Sequence, residues 1–283
     1  MTPLRQKVID QMTLQGLSAA TQKSYLYQLK EVAKYFHLSP DELSDTEIQS
    51  YLLYLIRDRH WSWSSCRQAL HALNFLYRHV LNKTLGQMAL PHSNKKQKIP
   101  DLLYPDEVLN IIRECSHSKA HAAIVIAYST SMRISEINAL RVGDLDGEHN
   151  CIKVRQGKGS RDRYVLSPEG LKSVLRHYWK EYKPTDVVIY GLDKHRALHS
   201  KYLRLEVKAA ARRAGITKTV RFHSLRHAFA CHQLLAGMPL PRLQTLLGHS
   251  QLQTTFRYLQ WIAMMDLRSN ISEDLLRDLR SPS

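Results

Sequence analysis

The chain has 283 residues, enough to bury a substantial core in one or two domains. Its 41 Lys+Arg against 25 Asp+Glu leave a formal net charge of +16, the electrostatic footprint of a phosphate-backbone binder. Cys66, Cys115, Cys151 and Cys231 form no C-x-x-C pair, and no apolar run nears the roughly 18 residues that cross a bilayer. A disulfide framework, a zinc ribbon and a membrane span are thus disfavoured, and a soluble cytoplasmic protein is expected.

Residues 1 to about 90 read as a bundle of four or five helices. Tyr25, Leu29, Val32 and Phe36 fall on one helical face. Ser44 with Glu47 forms a capping-box pattern ahead of the apolar run Tyr51 to Ile56. Cys66, Leu70, Leu73, Tyr77 and Val80 give a third stripe. Residues 91–100, PHSNKKQKIP, are polar, bracketed by prolines and carry Lys95, Lys96 and Lys98, so a basic linker is expected there. Residues 1–90 hold 10 basic and 7 acidic side chains, so most of the positive charge lies at or beyond that linker.

The second segment, 101–283, opens on Tyr104-Pro105-Asp106-Glu107, a proline and early acids that suit a helix start. Ala122 to Tyr128 reads as a buried helix. Cys151 to Gln156 and Arg163 to Ser167 are strand-like arms around Gly157-Lys158-Gly159-Ser160, a hairpin tip, and Val187 to Tyr190 suggests a further strand. From Lys201 onward the pattern is helical, ending in an amphipathic stripe at Ile271, Leu275 and Leu279.

The densest chemistry lies between His223 and Tyr258. His223, His227 and His249, with Arg226 and Tyr258, fall within 36 residues. A guanidinium can fork onto a phosphate, imidazoles can donate or pass protons near neutral pH, and a phenol can act as an oxygen nucleophile. That set suggests phosphoryl transfer without a metal. His223, His227 and Cys231 share a face at i, i+4 and i+8, but stacked over two turns they do not converge easily on a tetrahedral zinc.

Five motifs in order widen the picture. They are Thr130-Ser131-Met132-Arg133-Ile134-Ser135-Glu136, Gly157-Lys158-Gly159, His223-Ser224-Leu225-Arg226-His227, Leu246-Leu247-Gly248-His249 and Thr254-Thr255-Phe256-Arg257-Tyr258. In this order they resemble the active-site set of the tyrosine recombinase (phage integrase) family, over essentially the whole chain and in its simple two-domain form. The resemblance implies a mainly α fold with a small β-sheet. An N-terminal helical, SAM-like core-binding bundle would precede an α+β catalytic domain with a C-terminal amphipathic helix.

The resemblance also assigns roles. Tyr258 would attack the scissile phosphorus of double-stranded DNA at a specific recombination site, giving a 3′-phosphotyrosyl ester and then a Holliday junction, with no metal, cofactor or ATP. Arg133 and Arg226 would clamp the non-bridging oxygens, and Glu136 would support them. Lys158 would protonate the departing 5′-oxygen. His223 would hydrogen-bond the phosphate or take the Tyr258 proton, and His249 would donate to the phosphate. His227 is expected to brace the helix or the wall of the site. Lys95, Lys96, Lys98, Arg161 and Arg163 are expected to contact DNA, with Arg161 and Arg163 as phosphate contacts or strand-face charges. A homotetramer on synapsed DNA, monomeric in solution, is the assembly implied, with the final helix docked on its own core or on a neighbour.

Two departures stand out. Ser131 occupies a position where the family usually has glycine, and a positive φ would strain it. Leu259-Gln260 replaces the histidine that many members carry two residues after the tyrosine. Two other functions share parts of the inventory: a type IB topoisomerase-like enzyme relaxing a single duplex, and a non-catalytic DNA-binding or regulatory protein of a mobile element. The latter leaves the presence of all six catalytic residues unexplained.

Overall fold

A computed structural model describes residues 2–86, 88–90, 100–155 and 162–269, with side chains to residue 263. Lys95, Lys96, Lys98, Lys158, Arg161 and the stripe at Ile271, Leu275 and Leu279 lie outside them. The chain divides into two compact units, Met1–Gln97 and Lys98–Ser283.

The first unit contains α1 (Pro3–Leu14), α2 (Ala19–Phe36), α3 (Asp45–Arg57) and α4 (Trp63–Phe75), the last running into a π-helical turn, Leu76–Val80. Side-chain oxygens start these helices: Thr2, Ser18, Ser44 and Ser62 each accept a backbone N–H in the first turn. The Ser44–Glu47 capping box forms with both arms in place. The three apolar stripes meet in one core, where Leu29, Val32, Tyr51, Cys66, Leu73 and Tyr77 are buried. Tyr25, Phe36, Leu70 and Val80 pack at its margin. The π turn carries the third stripe past the end of α4, so Leu76 and Tyr77 stay buried.

The second unit contains α5 (Pro105–Arg113), α6 (Ser118–Thr130), α7 (Ile134–Ala139), β1 (Leu145–Asp146), β2 (Cys151–Val154), β3 (Arg163–Leu166), α8 (Glu169–Tyr182), α9 (Ser200–Arg213), α10 (Phe222–Leu235), α11 (Leu240–Leu247) and α12 (Leu252–Ser269). The strands form an antiparallel sheet in the order β1-β2-β3, with Val154 opposite Arg163. The fold is thus mainly α with one small sheet. Buried α6 is the central element: Ala122 through Ala127 are all buried, as their unbroken apolar run requires.

Residues Val187 to Tyr190 do not form the further strand expected of them. They are buried, but their pairing is limited to isolated bridges, Arg141 to Val187 and Tyr190 to Ala197. The Val188 N–H reaches the Leu140 carbonyl, and the Ile189 carbonyl receives the Leu198 N–H. Scattered partners satisfy the backbone here, so no continuous ladder is needed.

Candidate active site

Ser131 ends α6 in the left-handed region, at φ 58° and ψ 15°. That reversal leads through Met132 to Arg133, which is extended and immediately precedes α7. The strain foreseen for a residue with a Cβ is therefore present, about 1–2 kcal/mol for such backbone. Ser131 is fully buried, and its hydroxyl has no hydrogen-bond partner among the described residues. Its carbonyl accepts from Arg226 Nη1 at 2.7 Å.

Glu136 gathers four nitrogens around one buried carboxylate. It accepts the Arg133 N–H at 2.7 Å and Arg133 Nη1 at 2.8 Å. From β3, Arg163 lays both terminal nitrogens on it at 2.9 Å. Burial by itself would raise the Glu136 pKa. The Arg163 hydrogen bonds, the Arg133 N–H and the two guanidinium charges overcome it and hold the group at about 2.

Arg163 was expected among the DNA contacts or strand-face charges, and the structure instead turns it inward. Its side chain is only 9% exposed, and Nε donates to the Leu246 carbonyl at 2.9 Å. Gly248 leaves room for it. A Cβ at this left-handed position (φ 61°) would sit 3.1 Å from the Arg163 side chain.

Arg226 is deeper still, 1% exposed on α10. Nη1 donates to the Ser131 carbonyl, and Nη2 donates to the Leu247 carbonyl and to His249 Nε2, the last at 3.1 Å. Burial, then the charge of Arg133, lowers its pKa to about 10, so it remains a cation at neutral pH. Arginine can only donate, so His249 Nε2 must be the acceptor, and Nδ1 then carries the ring proton toward Thr255 Oγ1 at 2.9 Å. Burial and then Arg226 hold His249 neutral, at about 4.

Tyr258, on α12, is 3% exposed. Trp261 packs edge-on against it with ring centroids 5.0 Å apart, and burial raises the phenol pKa. Its hydroxyl lies 3.2 Å from Nδ1 of His227. His223, the imidazole expected to serve this tyrosine, stacks edge-on against His227 at 4.5 Å. It retains an exposed edge, and its basicity is lowered by burial of the rest of the ring and then by Arg226 and Arg133.

Arg133, Glu136, His223, Arg226, His249 and Tyr258 are thus brought into one cluster by α7, α10, α12 and the turn after α11. The structure adds Trp261 and the Ser131 and Leu247 carbonyls, which no charge or spacing in the sequence marked out, and gives Arg163 and Thr255 partners that the sequence did not foresee, Glu136 and His249. Among the described residues, no three His, Cys, Asp or Glu side chains converge as a set of metal ligands.

Beside the cluster, a cavity of about 470 Å³ is walled by Arg133, Lys201, Arg204, Lys208, Arg221 and His223. Lys201, Arg204 and Lys208 recur along one side of α9 at helical spacing. They were not singled out in the sequence, where they sit among many other cations. Another cavity, about 730 Å³, lies in the first unit among mostly apolar side chains of α1 and α2.

The chain matches the phage integrase family model over residues 101–263 and the N-terminal SAM-like domain of phage integrases over residues 4–87. It is 36% identical to an integrase/recombinase-type protein of Sinorhizobium fredii, covering 92% of this chain and 85% of that one. It is 31% identical to the tyrosine recombinase XerC of Lactobacillus delbrueckii subsp. bulgaricus, over 77% and 78% of the two chains. The fold is similar to that of lambda integrase, solved as a tetramer bound to a Holliday junction, with a TM-score of 0.71, 16% identity, and coverage of 90% and 76%. No helix of the described residues is long and apolar enough to cross a membrane. With both family models matched and a relative this similar along most of its length, the chain belongs to the phage integrase family and is an enzyme of the tyrosine recombinase type.

Proposed function

We propose that this enzyme is a site-specific DNA recombinase that breaks and rejoins strands through Tyr258. The observation that carries the reading is the buried phenol of Tyr258 gathered into one cluster with the buried guanidinium of Arg226, whose charge offsets part of the rise in phenol pKa that burial imposes. A phosphate entering this cluster would take up the Arg226 nitrogen that His249 now occupies and meet the more open Arg133, 23% exposed.

In the first step a bond forms between the Tyr258 oxygen and phosphorus, and the bond from phosphorus to the 5′-oxygen breaks. Arg133 and Arg226 offset the charge gathering on the phosphorane, worth several kcal/mol in a dry site. Lys158 gives a proton to the 5′-oxygen, and an imidazole of the cluster receives the phenolic one. The bond energy is kept as a 3′-phosphotyrosyl ester, so resealing by a 5′-hydroxyl of the partner strand needs no ATP. Freed from Arg226, His249 would have to shift its ring proton to Nε2 before it could donate to the phosphate.

DNA would be held by the +16 charge and by the wall of Lys201, Arg204 and Lys208, which contact phosphate without regard to sequence. Residues 1–90 would act as the core-binding domain, 91–100 as a basic linker with Lys95, Lys96 and Lys98, and 101–283 as the catalytic domain. Arg161 would add a phosphate contact near Lys158. A homotetramer on two synapsed sites, passing through a Holliday junction in the cytoplasm, follows from strand exchange between two duplexes. The similarity of the fold to a tetrameric lambda integrase complex supports it.

The decisive experiment uses DNA that the protein itself enriches from sheared host genome, rebuilt as nicked duplexes that trap the covalent step. The wild-type chain should become attached to a 3′-phosphate, and Tyr258→Phe should bind with similar affinity and form no adduct. Absence of an adduct with the wild-type protein would sink the proposal. Relaxation of supercoils without site preference would favour topoisomerase-like chemistry instead.

A further inference from the structure

We propose that His227 is a positioning residue for the nucleophile: its Nδ1 accepts the hydrogen bond from the Tyr258 hydroxyl and sets the direction of the phenol before cleavage. This rests on the reading of Tyr258 as the nucleophile. The hydroxyl lies 3.2 Å from that nitrogen, within reach of a hydrogen bond that is somewhat long, as such bonds often are before substrate tightens them.

The surroundings of His227 make it a rigid acceptor. Its ring meets Trp261 edge-on at 5.0 Å and 87°, and His223 edge-on at 4.5 Å and 82°. Two perpendicular contacts fix the plane of the imidazole and so the direction of its lone pair. Tyr258 is fixed in turn by Trp261, at 5.0 Å and 86°. The three rings form a closed triangle, and the hydrogen bond is its polar side.

The protonation state agrees with this geometry. His227 follows Arg226 directly in the chain; burial first, then the prospect of a like charge on His223 and the standing charge of Arg226, disfavour its protonated form. The ring is therefore uncharged in the neutral range and keeps one nitrogen with a lone pair, which the proposed hydrogen bond places at Nδ1, facing the hydroxyl. In that tautomer the ring proton sits on Nε2. A residue serving only to fill space between Trp261 and His223 has no need of a nitrogen aimed at the phenol.

Two substitutions separate an acceptor from a filler. His227→Phe keeps an aromatic ring for both edge contacts and removes the nitrogen. His227→Asn loses the ring but places an amide oxygen close to where Nδ1 lies. Single-turnover adduct formation on the nicked duplex described above should slow about tenfold or more in His227→Phe, the factor lost with one hydrogen bond to the nucleophile. Affinity for the same duplex should stay within about twofold, and His227→Asn should recover most of the rate. In the DNA-free protein, labelled with ¹³C at the tyrosine Cζ, the Tyr258 resonance should move in His227→Phe and return toward its wild-type position in His227→Asn. His227→Leu takes the place of the phenylalanine variant should that one not fold.

Equal loss in both variants, wild-type rate in His227→Phe, or an unmoved Tyr258 resonance would overturn the proposal while leaving the nucleophile assignment standing. A wild-type protein that forms no adduct would remove both. The resonance shift and the adduct therefore report separately on the hydrogen bond and on the reaction it serves.

Discussion

Arg163 and Glu136 lie 27 residues apart in the chain and meet as a buried two-point ion pair, with both guanidinium nitrogens 2.9 Å from the carboxylate. The pair ties β3 to the first turn of α7, where Glu136 also holds the backbone and side chain of Arg133. Arg163 thereby sets the orientation of Arg133 without needing to approach DNA.

That pair should be visible as acid sensitivity. Folding lowers the Glu136 pKa from 4.5 to about 2, so it favours the ionised form. The resulting stabilisation, roughly 3 kcal/mol, is complete above pH 4.5 and is lost as pH falls toward and through 2. Urea unfolding of the wild-type chain and Glu136→Gln should differ by about that amount at pH 7, and the gap should narrow by pH 3. A gap that does not change with pH would remove the electrostatic explanation.

Ser131 carries two costs at one position, a left-handed backbone and a buried hydroxyl without a partner among the described residues. Ser131→Gly relieves both while leaving the carbonyl that receives Arg226. A gain of about 1 kcal/mol is expected, less than the sum of the two costs because glycine also loosens the unfolded chain. Thermal unfolding should move up by a few degrees. A lower melting temperature would show that this serine is doing something the geometry does not reveal.

The wall of α9 can be tested through salt. If Lys201, Arg204 and Lys208 each neutralise a phosphate, Arg204→Ala and Lys208→Ala should weaken DNA binding on specific and unrelated sequences alike. Each should make the plot of log affinity against log salt shallower by about 0.9. Binding that weakens on one sequence only would instead mark the residue as a reader of bases, and an unchanged slope would take it off the interface.

Much of this protein was legible in its sequence. Helix periodicity and capping signals located α2, α3, α5 and α6, because those depend on neighbours within a turn or two. The ordered motifs pointed to Arg133, Glu136, His223, Arg226, His249 and Tyr258, since side chains of such particular chemistry stand out in a row of letters. Position among distant partners was not legible. Val187 to Tyr190 has the composition of a strand, yet its partners in space allow only isolated bridges.

The same limit applies at the cluster from His223 to Tyr258. Sequence by itself determined that imidazoles, a guanidinium and a phenol would be available together, and that the chain would carry enough positive charge to hold a polyanion. Only the tertiary structure decided which imidazole meets the phenol, when α10 and α12 packed with Trp261 between them and brought His227, not His223, to the hydroxyl. It likewise turned Arg163 from an expected surface cation into the partner of Glu136. Chemical identity is local and can be read along the chain, whereas a hydrogen bond requires two atoms within about 3 Å and waits on how the helices pack.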